Sequence, residues 1–352
     1  MSSKNARDPE VLIVGQGLAG SVLAWQLLRR GVSFTVVDRG GVDPSGAPCA
    51  SQVAAGLVTP VTGKRLTLDP RWSTLRTSSA DLYRYAEERL QAELFVEKPS
   101  LRVLQSAAEQ EQLRKRRDAS DYALQAQPAD PLELPGMLRT EFGAFWMPEA
   151  ARLDVRRFVQ LTREWLADAA LLRTATLTPN GIEADAGGVR ADSLGFRTGL
   201  VVFCQGAVPA SELPPDCPPV SADKGELLEI DAPELEIDCV VHRGVWVAPQ
   251  SSQKPSRYLV GSTFTWGKQD FEPTAEARES ILSRLSELTT AKATVVEHAA
   301  AARPSTSTRV PWAAFSESQP RVGWFNGLGS KGVLWAPWCA ARLADQCSRV
   351  SG

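Results

Sequence analysis

The chain begins its regular structure with a short, unbroken apolar run, Val11 to Val14, followed at once by GQGLAG at Gly15 to Gly20. The stretch SVLAWQLLRR then carries apolar residues at helical spacing and ends at Gly31 with two arginines in its last turn, the signature of a helix stop. A second apolar run, Phe34 to Val37, closes on Asp38. Strand, tight turn, helix and strand make a complete βαβ unit, for which a right-handed crossover and parallel pairing are expected.

Further along, PSGAPCASQVAAGLVTPVTGKR is rich in small residues and reads as a loop that packs closely against something flat. A helix is expected from about Ser79 to Leu94, then a strand at LRVLQ. Ser106 with Glu109 three residues later forms a capping box that opens a charged helix through Arg117. Residues 118–135 read as a polar connector. A strand near Gly143 to Pro148 and a helix from about Val155 to Ala170 lead to Leu200-Val-Val-Phe, continuously apolar as a strand buried on both faces should be.

Residues 209–222 hold five prolines and suggest a crossover between domains. Beyond them the pattern becomes antiparallel, with strands near Gly225 to Glu229, Cys239 to Val247 and Tyr258 to Ser262. A helix from Thr274 to Leu288 presents Ile281, Leu282, Leu285 and Leu288 on one face. The tail repeats the logic of the head: a strand at Arg321 to Phe325, the glycine turn NGLGSKG, and a helix from Val333 to Gln346 with Pro337 near its start. The expected fold class is α/β, a Rossmann-type dinucleotide-binding domain with a second domain built on a mostly antiparallel sheet. The first takes residues 1–85, 151–225 and 301–352; the second takes 86–150 and 226–300.

Composition narrows the function classes. The chain has 352 residues, 43% of them hydrophobic, enough to bury a sizeable core. Lysine and arginine number 39 against 41 acidic residues, a net charge of -2, and no basic run exceeds Arg114 to Arg117. That argues against a nucleic-acid partner. The six cysteines are scattered without a C-x-x-C pair, which suggests reduced thiols in a cytoplasmic protein. The polar first ten residues leave no room for a signal peptide's apolar stretch, and no window approaches the roughly 18 apolar residues of a membrane span. No histidine and cysteine cluster has metal-ligand spacing.

The head motif needs each of its glycines for a physical reason. Gly15 allows the tight turn, Gly17 lets the backbone approach a pyrophosphate, and Gly20 lets the helix pack closely on the strand. The phosphates would meet the positive end of the helix. Asp38, 18 residues past Gly20, is placed to accept hydrogen bonds from adenosine ribose hydroxyls. NAD and FAD share this fingerprint, and the second glycine turn, Gly327 to Gly332, favours FAD, because an extended cofactor must be gripped far from its adenine. The helix starting there would turn its positive end toward the ring. Val201 to Ala207 fits a third contact, with Gly206 letting the backbone pass beside the cofactor.

VLIVGQGLAG, ASQVAAGLVTPVTGKR, VVFCQGA, ARPSTSTRVP and FNGLGSKGVLWAP together resemble the D-amino-acid oxidase superfamily of FAD-dependent oxidoreductases, the group containing glycine oxidase and sarcosine oxidase. The resemblance covers nearly the whole chain. It implies FAD held by Gly15, Gln16, Gly17, Leu18, Ala19, Gly20, Asp38, Arg39, Ser51, Ala54, Ala55, Gly56, Gly206, Gly327, Gly329, Ser330, Lys331, Gly332 and Val333. It places Arg303 where glycine-oxidase-like relatives hold an arginine that grips the substrate carboxylate, with a surface or structural arginine as the alternative, and the aspartate usual a few residues later is missing here. Lys331 and His242 are further candidates for the active site, with an exposed lysine and a structural histidine as the alternatives. Lys64 and Arg65 could line the site or a phosphate, and Trp246, Trp266, Trp312 and Trp335 could wall the flavin's active face or serve only packing.

Relatives that attach FAD covalently use a cysteine near the ARP segment, and none lies between Cys239 and Cys339, so a noncovalent flavin is expected. The implied reaction is oxidation of the carbon–nitrogen bond of a small amine or amino acid, with electrons passing to oxygen or another acceptor. The alternatives are a dehydrogenase of a hydroxy acid or other non-amine, an amine on a modified tRNA base, and a flavin-binding protein without turnover.

Overall fold

A computed structural model describes residues 8–40, 49–251, 254–267 and 271–351. Its first sheet has six strands in the order Leu172–Thr174, Phe34–Asp38, Val11–Val14, Leu200–Phe203, Val322–Asn326 and Trp312–Phe315. The first five run parallel and the last closes the edge antiparallel. Strand alternation divides the central run between two cores. Val11 and Ile13 face the helices Leu18–Arg29, Trp72–Leu90 and Gly332–Ser351. Leu12 and Val14 face a three-stranded meander, Glu183–Asp185, Gly188–Ala191 and Phe196–Thr198, which covers the other side. The unbroken apolar runs seen in the sequence follow from this coverage of both faces.

The second large sheet has eight strands, in the order Thr294–Ser305, Ser221–Asp231, Lys254–Gly261, Val245–Ser251, Val241–Arg243, Ser100–Val103, Ala144–Met147 and Gln127–Pro128. Its pairings among the described residues are antiparallel except that of Val241–Arg243 with Ser100–Val103. The helix Ala275–Leu288, capped by the Thr274 hydroxyl, buries Ile281, Leu285 and Leu288 against its outer face. The strands Ser221–Asp231 and Thr294–Ser305 each continue across a boundary expected from the sequence, at 225 and at 300.

Several elements differ from expectation for local reasons. The helix expected from Ser79 begins at Trp72, because Asp69 and Pro70 form a start signal: the Asp69 carbonyl accepts the Trp72 N–H and its carboxylate the Arg71 N–H. It ends at Gln91, in the left-handed region at φ 50°. Ser106 accepts the Glu109 N–H as a capping box requires, but Glu109 turns back to the Gln105 N–H and to Arg102. The connector 118–135 contains a short helix, Ser120–Gln125, anchored by the Tyr122 hydroxyl on the Leu66 carbonyl. The run Cys239 to Val247 is a hairpin folded at Gly244, φ 65°. Part of the small-residue loop, residues 41–48, lies outside the described residues.

Pro337 sits inside the helix Gly332–Ser351, where it cannot supply the N–H that the Val333 carbonyl needs one turn back. The buried Tyr83 hydroxyl supplies it instead, donating to Val333 O at 2.9 Å. Burial drives the Tyr83 pKa well above its ordinary value, so it stays a donor. This bond fixes the first turn of the C-terminal helix. Tyr83→Phe is expected to lower stability by roughly 1–3 kcal/mol in denaturant unfolding. The same change should cost less in a Pro337→Ala background, where residue 337 regains its N–H.

Candidate active site

A long cleft opens at the carboxyl ends of Val11–Val14, Leu200–Phe203 and Val322–Asn326, the end of a parallel sheet at which ligands bind. Backbone turns line its length. Gly15 stands at φ 102°, and a Cβ there would press within 2.6 Å of the Cys204 carbonyl oxygen. A Cβ at Gly20 would come within 1.9 Å of Gly15 O, so only glycine lets the first helix sit this close to the strand that feeds it. At the helix start, the Leu18 N–H donates to Ser51 Oγ at 3.0 Å.

Asp38 ends the second strand with its carboxylate nearly saturated. Oδ2 accepts the Gln16 N–H at 2.9 Å; Oδ1 accepts the Gly40 N–H at 2.9 Å and Arg163 Nη1 at 2.7 Å. Burial raises its pKa, but the two backbone donors and the guanidinium outweigh burial and hold it below the usual carboxylate value.

The far part of the cleft is walled by one face of the eight-stranded sheet. Paired positions share a face, so Gly225, Ala301, Leu227, Gly261 and Trp246 form this wall beside Arg303. A Cβ at Gly225 would strike the Arg303 guanidinium, and one at Gly261 would lie 2.7 Å from the Trp246 ring, so two glycines make room for two large side chains. Arg303 donates to Ser262 Oγ at 2.9 Å and the Thr263 carbonyl at 3.3 Å, and lies 5.5 Å from the Phe264 ring centre. Burial lowers its pKa and the neighbouring Asp223 offsets part of that, but no carboxylate among the described residues forms an ion pair with it. Ser305, two residues on, pairs with Leu328 and ties the arginine's strand to the second glycine turn.

Comparison with known proteins decides the family. The sequence matches the FAD dependent oxidoreductase (DAO) family over residues 10–346. The chain belongs to that family. It is 25% identical over 97% of both chains to a putative thiamine biosynthesis oxidoreductase ThiO from Rhizobium etli. It is 26% identical to the tRNA 5-methylaminomethyl-2-thiouridine biosynthesis bifunctional protein MnmC of Marinobacter nauticus over 96% of this chain but 55% of that one. Its fold matches glycine oxidase from Geobacillus kaustophilus, with a TM-score of 0.80, 23% identity, and coverage of 97% and 95%. Iminodiacetate oxidase from Chelativorans sp. BNC1 has a TM-score of 0.75 and 22% identity, covering 95% and 94%.

The cleft fits the FAD of this family. Gly206, φ 72°, lines it, and a Cβ there would meet nothing within 4 Å, so bare backbone faces the space. Gly15, Gln16, Gly17, Leu18, Ala19, Asp38, Arg39, Ser51, Ala54, Ala55, Gly56, Gly206, Gly329, Ser330, Gly332 and Val333 all line this one cleft, as do Arg303 and Trp246. Gly20, Gly327 and Lys331 stand behind the lining. Gly20 and Gly327 shape the turns, with a Cβ at Gly327 reaching 2.2 Å from the Thr306 side chain. Lys331 sits half-buried; burial lowers its pKa, opposed by Asp69 and reinforced by Arg309 and Arg71. Lys64 and Arg65 are exposed at a hairpin turn, Trp266 is 62% exposed, Trp312 lies on the edge strand, and Trp335 is buried beneath Arg71. None of these lines the cleft.

His242 also lies outside the lining. Its Nδ1 stands 3.2 Å from Nη1 of buried Arg102, which in turn pairs with Glu109. The arginine can only donate, so Nδ1 accepts and the proton of the neutral ring sits on Nε2. Sequence reasoning missed the 175–178 segment after Leu172–Thr174, and also Glu212 and Phe271, which line the cleft. The end of a parallel strand was the signal for the first.

Burial, reinforced by Arg102, lowers the His242 pKa to about 3. An unfolded histidine titrates near ~6.5, so between these values the unfolded chain binds the extra proton and stability falls as pH drops, by up to ~1.4 kcal/mol per unit. His242→Asn should flatten that part of the slope, measured as the difference between variant and parent unfolding curves across the mildly acidic range.

Proposed function

We propose that this chain oxidises the carbon–nitrogen bond of a small amine bearing a carboxylate, an amino acid or N-substituted amino acid, and passes the electrons to oxygen or another acceptor. Bound FAD supplies a two-electron acceptor. The substrate loses a hydride and a proton overall, and water hydrolyses the resulting imine to a carbonyl compound and free amine. The observation that carries the reading is Arg303: a guanidinium with no ion-pair partner among the described residues, in the wall of the cofactor cleft, its strand joined to the second glycine turn. A planar fork with free donors suits a carboxylate.

Arg303 binds and orients, held from behind by Ser262 and Thr263. Trp246, Leu227 and Phe271 keep the neighbouring space apolar and exclude water. No side-chain acid or base is required, because orientation and desolvation are the protein's part in this chemistry. Glycine oxidase and iminodiacetate oxidase, by their names, act on amines with carboxylates, which supports the same class here. The cofactor contacts are assigned to the cleft-lining residues named above. The division into a cofactor domain, residues 1–85, 151–225 and 301–352, and a substrate domain, 86–150 and 226–300, is kept as a proposal, supported by the presence of two large sheets. With net charge -2, no nucleic-acid partner is assigned; with six free cysteines, the cytoplasm is the proposed location. No helix among the described residues is long and apolar enough to cross a membrane.

Anaerobic mixing of the holoenzyme with a panel of amino acids, their decarboxylated amines and the matching hydroxy acids tests this. Amino acids should bleach the flavin and the decarboxylated amines should not; bleaching by hydroxy acids alone would overturn the reading. Arg303→Met should raise KM by about 10–100-fold, the loss of a charge-assisted hydrogen-bonded pair, with a smaller change in kcat.

A further inference from the structure

We propose that Arg163, outside the cleft lining, is a positioning residue for the cofactor, and that it sets FAD affinity by acting through Asp38. It projects from the helix Val155–Asp168, and its Nη1 donates to Asp38 Oδ1 at 2.7 Å and to Gln16 Oε1 at 3.2 Å. Gln16 is fixed in turn: its Nε2 lies within hydrogen-bond distance of Ser21 Oγ, 2.9 Å, and of the Val159 carbonyl, 3.0 Å, and its N–H donates to Asp38 Oδ2. One guanidinium therefore locks the ribose-binding carboxylate, the glycine turn and a helix from a distant part of the chain into one network.

Two physical consequences follow. The pyrophosphate brings negative charge to the glycine turn, and an uncompensated Asp38 carboxylate next to it would repel it; Arg163 neutralises that charge without entering the cleft. A carboxylate offers about four acceptor positions. With two taken on Oδ1 and one on Oδ2, the remaining position on Oδ2 is the one left for a ribose hydroxyl. Arg163 thus fixes which oxygen faces the cofactor. The inference rests on FAD binding and on the assignment of Asp38 to the ribose, and is independent of the substrate.

The test is FAD binding to the full-length apoprotein, followed by flavin fluorescence, in a double-mutant cycle of Arg163→Met and Asp38→Asn, with Arg163→Lys as the charge-retaining variant. Arg163→Met should weaken FAD about tenfold and ADP, used as a competitor, by a similar factor, while Arg163→Lys stays within about threefold of the parent. In the Asp38→Asn background, where no charge needs compensating, Arg163→Met should change the affinity less than about twofold. An unchanged affinity in Arg163→Met overturns the proposal, as does the same loss in both backgrounds, which marks Arg163 as a merely structural tie. If Asp38→Asn alone leaves FAD affinity unchanged, the ribose assignment fails with it. Thermal unfolding of each apoprotein separates a misfolded variant from a weak binder, and Arg163→Lys keeps the test decisive if the methionine variant does not fold. Because turnover is not read, failure here leaves the amine-oxidation reading standing.

Discussion

Three parallel strands taken from the head, the middle and the tail of the chain lie side by side, and this adjacency is the constraint on which the rest depends. Val11–Val14 pairs with Leu200–Phe203, which pairs with Val322–Asn326, so three turns that are far apart in sequence lie together at the carboxyl ends of neighbouring strands. Close approach of backbone to backbone demands glycine at Gly15, Gly20 and Gly56. Where the C-terminal helix joins this arrangement, Tyr83 satisfies the carbonyl that Pro337 abandons. A FAD dependent oxidoreductase needs such a seat because its cofactor is long, and no single turn could hold both of its ends.

Electrostatics divides the cleft along its length. At the first glycine turn the helix Leu18–Arg29 presents its positive end, and Asp38, its charge compensated by Arg163, offers acceptors without unbalanced repulsion. At the other end Gly332 and Val333 open a second helix toward the cleft, and Arg303 stands as a cation that no acidic side chain among the described residues pairs with. Such a group is costly to bury, and the anionic substrate proposed for it would offset that cost. The arginines Arg163 and Arg102 are each paired with a buried carboxylate, whereas Arg303 forms no ion pair among the described residues.

What could be read from the sequence was what local rules control. Glycine spacing after an apolar run, an acidic residue at the end of the next strand, and the repeat of that logic at the tail identified the turns that line the cleft. Two boundaries were misread although their signals are local: Asp69-Pro70 ahead of the helix at Trp72, and the turn at Gly244 inside the run Cys239 to Val247. The strand Thr294–Ser305 escaped notice because its run of alanines, Ala299 to Ala302, has no strand propensity of its own and is held by pairing along the whole of Ser221–Asp231. Arg163 was invisible for a deeper reason. An arginine on an amphipathic helix reads as solvated surface, and nothing within the helix indicates that its tip meets Asp38, 125 residues away along the chain.

One bound, unattached flavin held jointly by both ends of the chain is the central claim. The direct measurement is the stoichiometry and attachment of flavin in the purified protein, read from its visible spectrum before and after acid precipitation. One FAD per chain is predicted, all of it released to the supernatant. A colourless protein that takes up no added FAD, or colour that stays with the precipitated polypeptide, would contradict it.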